Sequence, residues 1–487
     1  MGKIVDILIW LSENLIWINI LLAILLVFFE RRNPTTTWLW LMVLLFLPGL
    51  GFLLYLFLGQ DLSKHKQFKS KEEEDNNFDI LAEVQIKVIE EDDFTFKDPN
   101  YPYYDDLITM HLVSNKAYFS QDNSIEIYYS GEDKFIALLE SINNATSYIY
   151  MEYYIFRNDD LGKKVLDALI QKANEGLEVK LLVDGMGGRT LTKKFLKPFI
   201  DAGGQVAIFM PPLIPVINIR INYRNHRKIT IIDGKEAYLG GFNVGDEYLG
   251  LNKKKFGYWR DTHMKIKGSA ISSLQWRFFL DWRFVTKEGV GNNQSHIYTE
   301  EKTPGNVGVQ IVTSGPDSKW PGIKDGYFKM ITQAREKVYI QTPYFIPDDS
   351  IFEALRIAGL AGVDVKVIIP NKPDHPFVYW ASLSYIGELL QAGVKFYTYE
   401  NGFLHSKVLI MDEFVSSVGT ANLDIRSFEL NFEVNAFLYD DITNLNLTEQ
   451  FNKDLLDCKE ITIEEYLNRP RIVKLKESIS RLLSPIL

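Results

Sequence analysis

Two stretches decide the fold: Asn222-Tyr-Arg-Asn-His-Arg-Lys-Ile-Thr-Ile-Ile-Asp233 and Gly402-Phe-Leu-His-Ser-Lys-Val-Leu-Ile-Met-Asp412. Each contains His-x-Lys-x4-Asp. The first copy is His226, Lys228 and Asp233; the second is His405, Lys407 and Asp412. A glycine and an asparagine follow each at the same distance, Gly240 and Asn243 in one and Gly419 and Asn422 in the other. Every member of the second set stands 179 residues after its counterpart. One such pattern is only suggestive, but two in register mark a duplication.

Outward from the motifs the duplication continues. Ser147–Phe156, a helix-like stretch over 161–174 and Gly176–Gly185 form one strand-helix-strand unit. Lys337–Ile346, a helix-like stretch over 350–361 and Gly362–Asn371 form the other. Ala202–Phe209 and Ala392–Tyr399 are a further matching pair. Near-continuous apolar strands alternating with helices predict an α/β fold with a sheet covered on both faces. The expected division is 116–290 for the first half and 305–487 for the second, joined by a loop rich in Gly and Asn.

The residues after each histidine read as a strand, so His and Lys, two apart, project from one face. Two such pairs meeting in one cleft suit phosphoryl chemistry. A neutral imidazole can attack phosphorus, and a protonated one can donate to the departing oxygen. Lys228, Lys407, Asn243 and Asn422 can hold the non-bridging oxygens. This scheme uses no metal and no cofactor. A nucleophilic histidine needs its second ring nitrogen oriented by an acceptor. Asp261 and Glu433 are the candidates, and counting along the chain assigns Asp261 to His226 and Glu433 to His405. Asp233 and Asp412, five residues past the lysines, face the other way on a straight strand. They belong to the catalytic motif but are expected mainly to brace its loop.

The 487 residues carry a net charge of −10. That balance argues against nucleic acid as a partner, which favours a basic face. A single cysteine, Cys458, excludes an intramolecular disulfide and reads as a small apolar residue. The first 60 residues predict a two-helix transmembrane hairpin, with spans over Ile7–Phe29 and Trp38–Leu58. Lys64, Lys66, Lys69 and Lys71 follow it, so the positive-inside rule puts both ends and the body in the cytoplasm. Residues 61–115 read as a charged connector, and within it the acid-rich stretch 72–99 reads as solvated, with one short helix. The apolar stretches Met210–Ile219 and Pro376–Trp380, and the partly amphipathic segment Ile472–Leu487, are candidates for lipid contact. Core packing is the other reading of each.

These motifs resemble the duplicated phospholipase D superfamily. Asn222–Lys228, Gly240–Asp246, Trp259–His263, Pro343–Pro347, Gly402–His405 and Arg481–Leu487 are similar to the bacterial cardiolipin synthase family, over essentially the whole chain. The resemblance implies two α/β halves sharing one active site, and a covalent intermediate on a histidine. It implies His226 as nucleophile and His405 as general acid, then base. It implies phosphatidylglycerol and other membrane phospholipids as partners, and cardiolipin and glycerol as products. A phospholipase D-type hydrolase, or a phosphatidyltransferase with another headgroup donor, would use the same residues. The oligomeric state is not legible.

Overall fold

Apolar runs such as Lys228–Ile232 can be buried on both faces only in the middle of a covered sheet, and that is where they lie. The computed structural model describes scattered positions between 14 and 55, then residues 76–91, 93–211, 223–251, 257–288, 305–372, 374–482 and Ser484. Most of the first expected span, the apolar loop through Ile214 and Val216, the linker at 290–304 and the closing three residues lie outside the described residues.

The first half supplies β1 (Phe119–Tyr128), β2 (Tyr148–Tyr153), β3 (Glu178–Asp184), β4 (Gln205–Phe209), β5 (Arg224–Asn225), β6 (Lys228–Ile232), β7 (Glu236–Gly240), β8 (Trp259–Arg260) and β9 (His263–Lys267). The second supplies β10 (Val307–Ser314), β11 (Lys337–Gln341), β12 (Phe345–Ile346), β13 (Asp364–Pro370), β14 (Lys395–Tyr399) and β15 (Phe403–Leu404). It continues with β16 (Val408–Met411), β17 (Val415–Gly419), β18 (Leu423–Asp424), β19 (Asn431–Tyr439) and β20 (Cys458–Ile461).

One sheet runs through both halves in the order β20-β14-β13-β11-β16-β17-β19-β10-β1-β9-β7-β6-β2-β3-β4. Apart from β20, the order is a palindrome: β10 answers β1, β19 answers β9, and β14 answers β4. A pseudo-two-fold axis therefore passes between β1 and β10, which pair antiparallel. The duplication has become a mixed sheet whose two halves abut edge to edge.

Alternate residues of the central strands feed different cores. Ile229 and Ile231 join Val408 and Ile410 in a core common to both halves, under the helices Ala270–Thr286 and Asp441–Leu455. On the opposite face, Ile149, Met151 and Ile232 pack under the helices Gly131–Asn143 and Asp160–Asn174. In the second half, Val338, Ile340, Leu409 and Met411 pack under Gly322–Gln333 and Asp349–Leu360. Each such buried side chain contributes about 1.5–3 kcal/mol. The shared core makes the two halves one folding unit.

Two expectations need correction. The charged connector expected over 61–115 ends in a helix that packs on the body. The helix Asp105–Asn115 buries Leu107, Ile108 and Leu112 in the second half's core, and Gln310 donates to the Ile108 carbonyl. Its two acids, Asp105 and Asp106, are exposed in the first turn. The second expected span is also not one straight helix. A helix covers Pro34–Phe46, yet the Tyr55 ring lies 5.4 Å from that of Trp40. Fifteen residues of straight helix would separate them by about 22 Å. The chain turns back near Gly49, which has a positive φ of 84°. Among the described residues, no helix is long and apolar enough to cross a membrane.

Candidate active site

The motif histidines sit just before their strands, and two short parallel pairings hold them there. β5 pairs with Asn431–Phe432 at the start of β19, and β15 pairs with β8. Each pairing joins opposite halves. The His226 N–H then donates to the Phe432 carbonyl at 2.9 Å, and the His405 N–H to the Arg260 carbonyl at 2.7 Å. The next residue along each partner strand is a carboxylate, Glu433 in one case and Asp261 in the other.

Side-chain pairing follows from this. His226 Nδ1 lies 3.0 Å from Glu433 Oε2 and 2.9 Å from its other oxygen, and His405 Nδ1 lies 2.6 Å from Asp261 Oδ2. The partners are 207 and 144 residues away in sequence. The assignment by counting along the chain is therefore reversed: each half's carboxylate orients the other half's histidine. With Nδ1–H donated to a carboxylate, Nε2 carries the lone pair toward the cleft.

The cleft between the halves has a volume of about 690 Å³ and is lined by His226, His405, Asn243 and Asn422. Lys228 and Lys407 are fully buried beneath it. Lys228 Nζ donates to the His226 carbonyl at 2.6 Å, and Lys407 Nζ to the His405 carbonyl. Asn243 takes the Ile155 N–H on its oxygen and donates one N–H to the Tyr248 hydroxyl. Asn422 donates to Asp424 at 3.3 Å.

Burial sets the proton affinities. It pulls Lys228 down to about 7, helped by Lys407 and opposed by Glu433. It pulls Lys407 down to about 8 against Asp261 and Glu433. His405 falls to about 4, through burial and the Lys407 charge, and burial also holds His226 below its ordinary value. For Glu433, burial favours the neutral form, but His226, Lys228 and the Thr420 hydroxyl outweigh it and hold the carboxyl low. Both resting imidazoles are thus neutral at pH 7, beside two lysines whose charge burial disfavours. An anion in the cleft would raise the lysines and histidines together.

Asp233 and Asp412 lie outside the cleft lining. Each sits in a left-handed turn, with φ of 54° and 47°. Asp233 accepts the N–H groups of Thr146, Ser147 and Tyr148 at 2.8–2.9 Å. Asp412 accepts those of Glu336 and Lys337 at 2.9 and 3.0 Å, and that of Arg335. Each ties the end of its motif strand to the start of the neighbouring strand, as a brace.

Sequence reading missed several supports. Thr420 Oγ1 donates to Glu433 Oε2 at 2.6 Å. The position 179 residues earlier is Gly241, where a Cβ would overlap the Asp261 carboxylate. Arg227 and Asp281 form a fully buried ion pair, and Arg227 Nε also donates to the Glu433 carbonyl. A lone acid in the aromatic-rich stretch Leu274–Phe284 was the available signal for Asp281. The Tyr154 ring stands 4.9 Å from that of His226, and the Trp259 ring 5.5 Å from that of His405. Among the described residues, no group of acidic, histidine and cysteine side chains could hold a metal ion.

A family profile described as cardiolipin synthase, PLD-like domain, matches residues 138–262 and 327–455, one stretch in each half. A second, described as phospholipase D-nuclease N-terminal, matches residues 17–60. The major cardiolipin synthase of Bacillus subtilis is 52% identical over 472 residues, 96% of this chain and 97% of that one. A cardiolipin synthase of Staphylococcus aureus is 48% identical over 96% of this chain and 95% of its own. The crystal structure of phosphatidylserine synthase from Haemophilus influenzae superposes with a TM-score of 0.60 at 18% identity. It covers 78% of this chain and all of that one, and so shares the fold. The chain belongs to the cardiolipin synthase family of phospholipase D-like proteins.

Proposed function

We propose that the protein transfers a phosphatidyl group from one phosphatidylglycerol to a second, giving cardiolipin and glycerol. The observation that carries this is the crossed pair of oriented histidines facing one cleft above two buried lysines. His226 Nε2 attacks the phosphorus of the first lipid while His405 gives a proton to the departing glycerol oxygen. The P–O bond breaks and a P–N bond forms. His405, now neutral, takes the proton of a hydroxyl on the second lipid's glycerol. That oxygen attacks phosphorus and His226 leaves.

Lys228, Lys407, Asn243 and Asn422 stabilise the non-bridging oxygens, whose charge rises in each transition state. The resting His405 is too weak a base to be protonated at pH 7. The arriving phosphodiester anion supplies the missing stabilisation of its imidazolium. One phosphodiester replaces another, so no nucleotide is consumed.

The reading places the body at a membrane, held by residues 1–60 with both ends in the cytoplasm. The charge pattern and the matched N-terminal family profile support an anchor; the turn near Gly49 favours an apolar hairpin over two straight spans. A second contact is offered by the helix Arg471–Leu482. Its exposed face carries Ile472, Leu475, Ile479 and Leu482, and it packs on the helix Pro376–Gln391, whose Val378 lines the cleft.

The test is product analysis. Detergent-solubilised protein is incubated with phosphatidylglycerol alone, and the lipids are read by mass spectrometry. Cardiolipin with released glycerol is expected. Phosphatidic acid without cardiolipin would make the protein a hydrolase instead.

A further inference from the structure

The carboxylate that orients His226 is supported from behind. Glu433 and Asn435 stand two residues apart on one face of β19. Asn435 pairs across the sheet with Gly419, the last residue of β17, and a Cβ on that glycine would fall on the Asn435 amide. The space left by the glycine is filled by a side chain that is wholly buried and fully bonded. Its oxygen accepts the N–H groups of Thr420 and Ala421 at 3.1 and 3.2 Å. Its nitrogen donates to the Tyr327 hydroxyl at 2.8 Å and to the Ser417 hydroxyl at 3.0 Å. Both lone pairs and both N–H bonds are used, which leaves the amide one orientation. Turned over, it would aim its own N–H bonds at those of Thr420 and Ala421.

The first half lacks this device. There Gly240 pairs with His263, again with no room for a Cβ. His263 is as buried as Asn435, yet neither ring nitrogen has a hydrogen-bond partner among the described residues. The turns that follow the two glycines are otherwise alike. Gly241 donates to the Thr262 carbonyl at 2.9 Å, and Thr420 to the Val434 carbonyl at 3.0 Å. The second turn adds the two bonds to Asn435, and it also has a side chain to aim. Thr420 Oγ1 donates to Glu433 at 2.6 Å, whereas Gly241 has no side chain. Two residues on, the same turn delivers Asn422 to the cleft. A hydroxyl is aimed only as well as the main chain that carries it.

We propose that Asn435 is a positioning residue for the transfer: it fixes the turn Thr420–Asn422 so that the Thr420 hydroxyl keeps Glu433 aligned with His226. This rests on the functional reading above for the part played by His226. Asn435 touches no substrate and acts through Thr420 and Asn422. Without the amide the turn is released, and the Thr420 hydroxyl no longer holds its oxygen. The loss falls on kcat more than on KM, because the alignment of Glu433 counts most as His226 bonds to phosphorus.

The experiment is a double-mutant cycle in the full chain, in detergent micelles of phosphatidylglycerol. All phosphatidyl products are counted, cardiolipin and phosphatidic acid together. The kcat is expressed per folded molecule, from the unfolding curve at the assay temperature. Asn435→Leu is expected to lower kcat about tenfold or more, with KM changed by less than about threefold. Adding Thr420→Val should then slow the protein by no more than about threefold, although Thr420→Val alone costs more than that. Asn435→Asp keeps an acceptor for both N–H groups, and the Tyr327 and Ser417 hydroxyls can turn to donate to it. It should recover part of the loss and restore the sensitivity to Thr420→Val. Asn435→Ser, which leaves room for water, takes the place of Asn435→Leu if that variant does not fold, with the same expectation. A Thr420→Val factor that is the same with and without Asn435 overturns the proposal. So does a full kcat in Asn435→Leu with only the unfolding midpoint lowered. Phosphatidic acid in place of cardiolipin from the unchanged protein would defeat the functional reading and leave this comparison standing.

Discussion

The two histidine–carboxylate pairs are the same device built with different supports. His226 is held by Glu433, a carboxylate at the start of a nine-residue strand that takes a further hydroxyl from Thr420. His405 is held by Asp261, a shorter acid that reaches its histidine because Gly241 leaves room for it. Where one half spends a hydroxyl on fixing the acid, the other spends the absence of a side chain. The difference fits a division of labour. A nucleophile benefits from a carboxylate kept ionised through the covalent intermediate, whereas an acid–base imidazole must change its proton twice per cycle.

The comparison is broken most severely at the imidazoles. His226→Ala and His405→Ala should each lower cardiolipin formation by about 10⁴-fold or more, since a triad-like unit fails when one member is removed. Near-normal synthesis by either variant, read by lipid mass spectrometry, would contradict the scheme. Glu433→Gln and Asp261→Asn come next, at about 10²–10⁴-fold. Crossed pairing, with His226 attacking as proposed, predicts that more phosphatidyl-enzyme survives denaturing quench in Asp261→Asn than in Glu433→Gln. The opposite order would restore pairing within each half.

Smaller effects sharpen the contrast. Arg227→Ala takes the guanidinium away from the buried Asp281, and should cost about 3–5 kcal/mol of stability in denaturant titration. Thr420→Val removes one charge-assisted hydrogen bond worth about 1.5–3 kcal/mol, so kcat should drop roughly 10- to 150-fold. Thr420→Ser should restore most of it, and a Thr420→Val enzyme of unchanged kcat would show that the hydroxyl plays no part. The mildest test is pH. The lysines act as cations and stand at about 7 and about 8 in the free protein. kcat/KM should therefore fall as pH rises through 7–8. Bound phosphate favours the charged lysines, so the basic limb of kcat should lie higher. Coincident limbs would argue that the lysines do not touch the phosphate.

Much of this was legible in the chain. The two motifs and the matching strand-helix-strand units are local patterns, and strands such as Glu178–Asp184 and Asp364–Pro370 lie on their apolar runs. Spacing put Asp233 and Asp412 on the side away from the histidines, but what they hold is the start of the neighbouring strand and not the loop that carries the histidine. The crossed carboxylates were not legible, because they depend on which strand start lies beside which histidine. Those two-residue pairings, Arg224 with Asn431 and Phe403 with Trp259, carry no local signal. The packing of the helix Asp105–Asn115, through Leu107, Ile108 and Leu112, was missed because the acid runs at 72–75 and 90–93 drew the whole of 61–115 into one charged connector. The folding back of Tyr55 onto Trp40 was hidden because hydropathy measures length and not direction.

The central claim is that His226, oriented from the other half, carries the phosphatidyl group. The direct measurement is rapid acid-free quench of the protein turning over phosphatidylglycerol, followed by peptide mass spectrometry to locate the adduct. The account predicts a phosphatidyl mass on His226 and none on His405. An adduct on His405, or turnover with no adduct on either histidine, would contradict it.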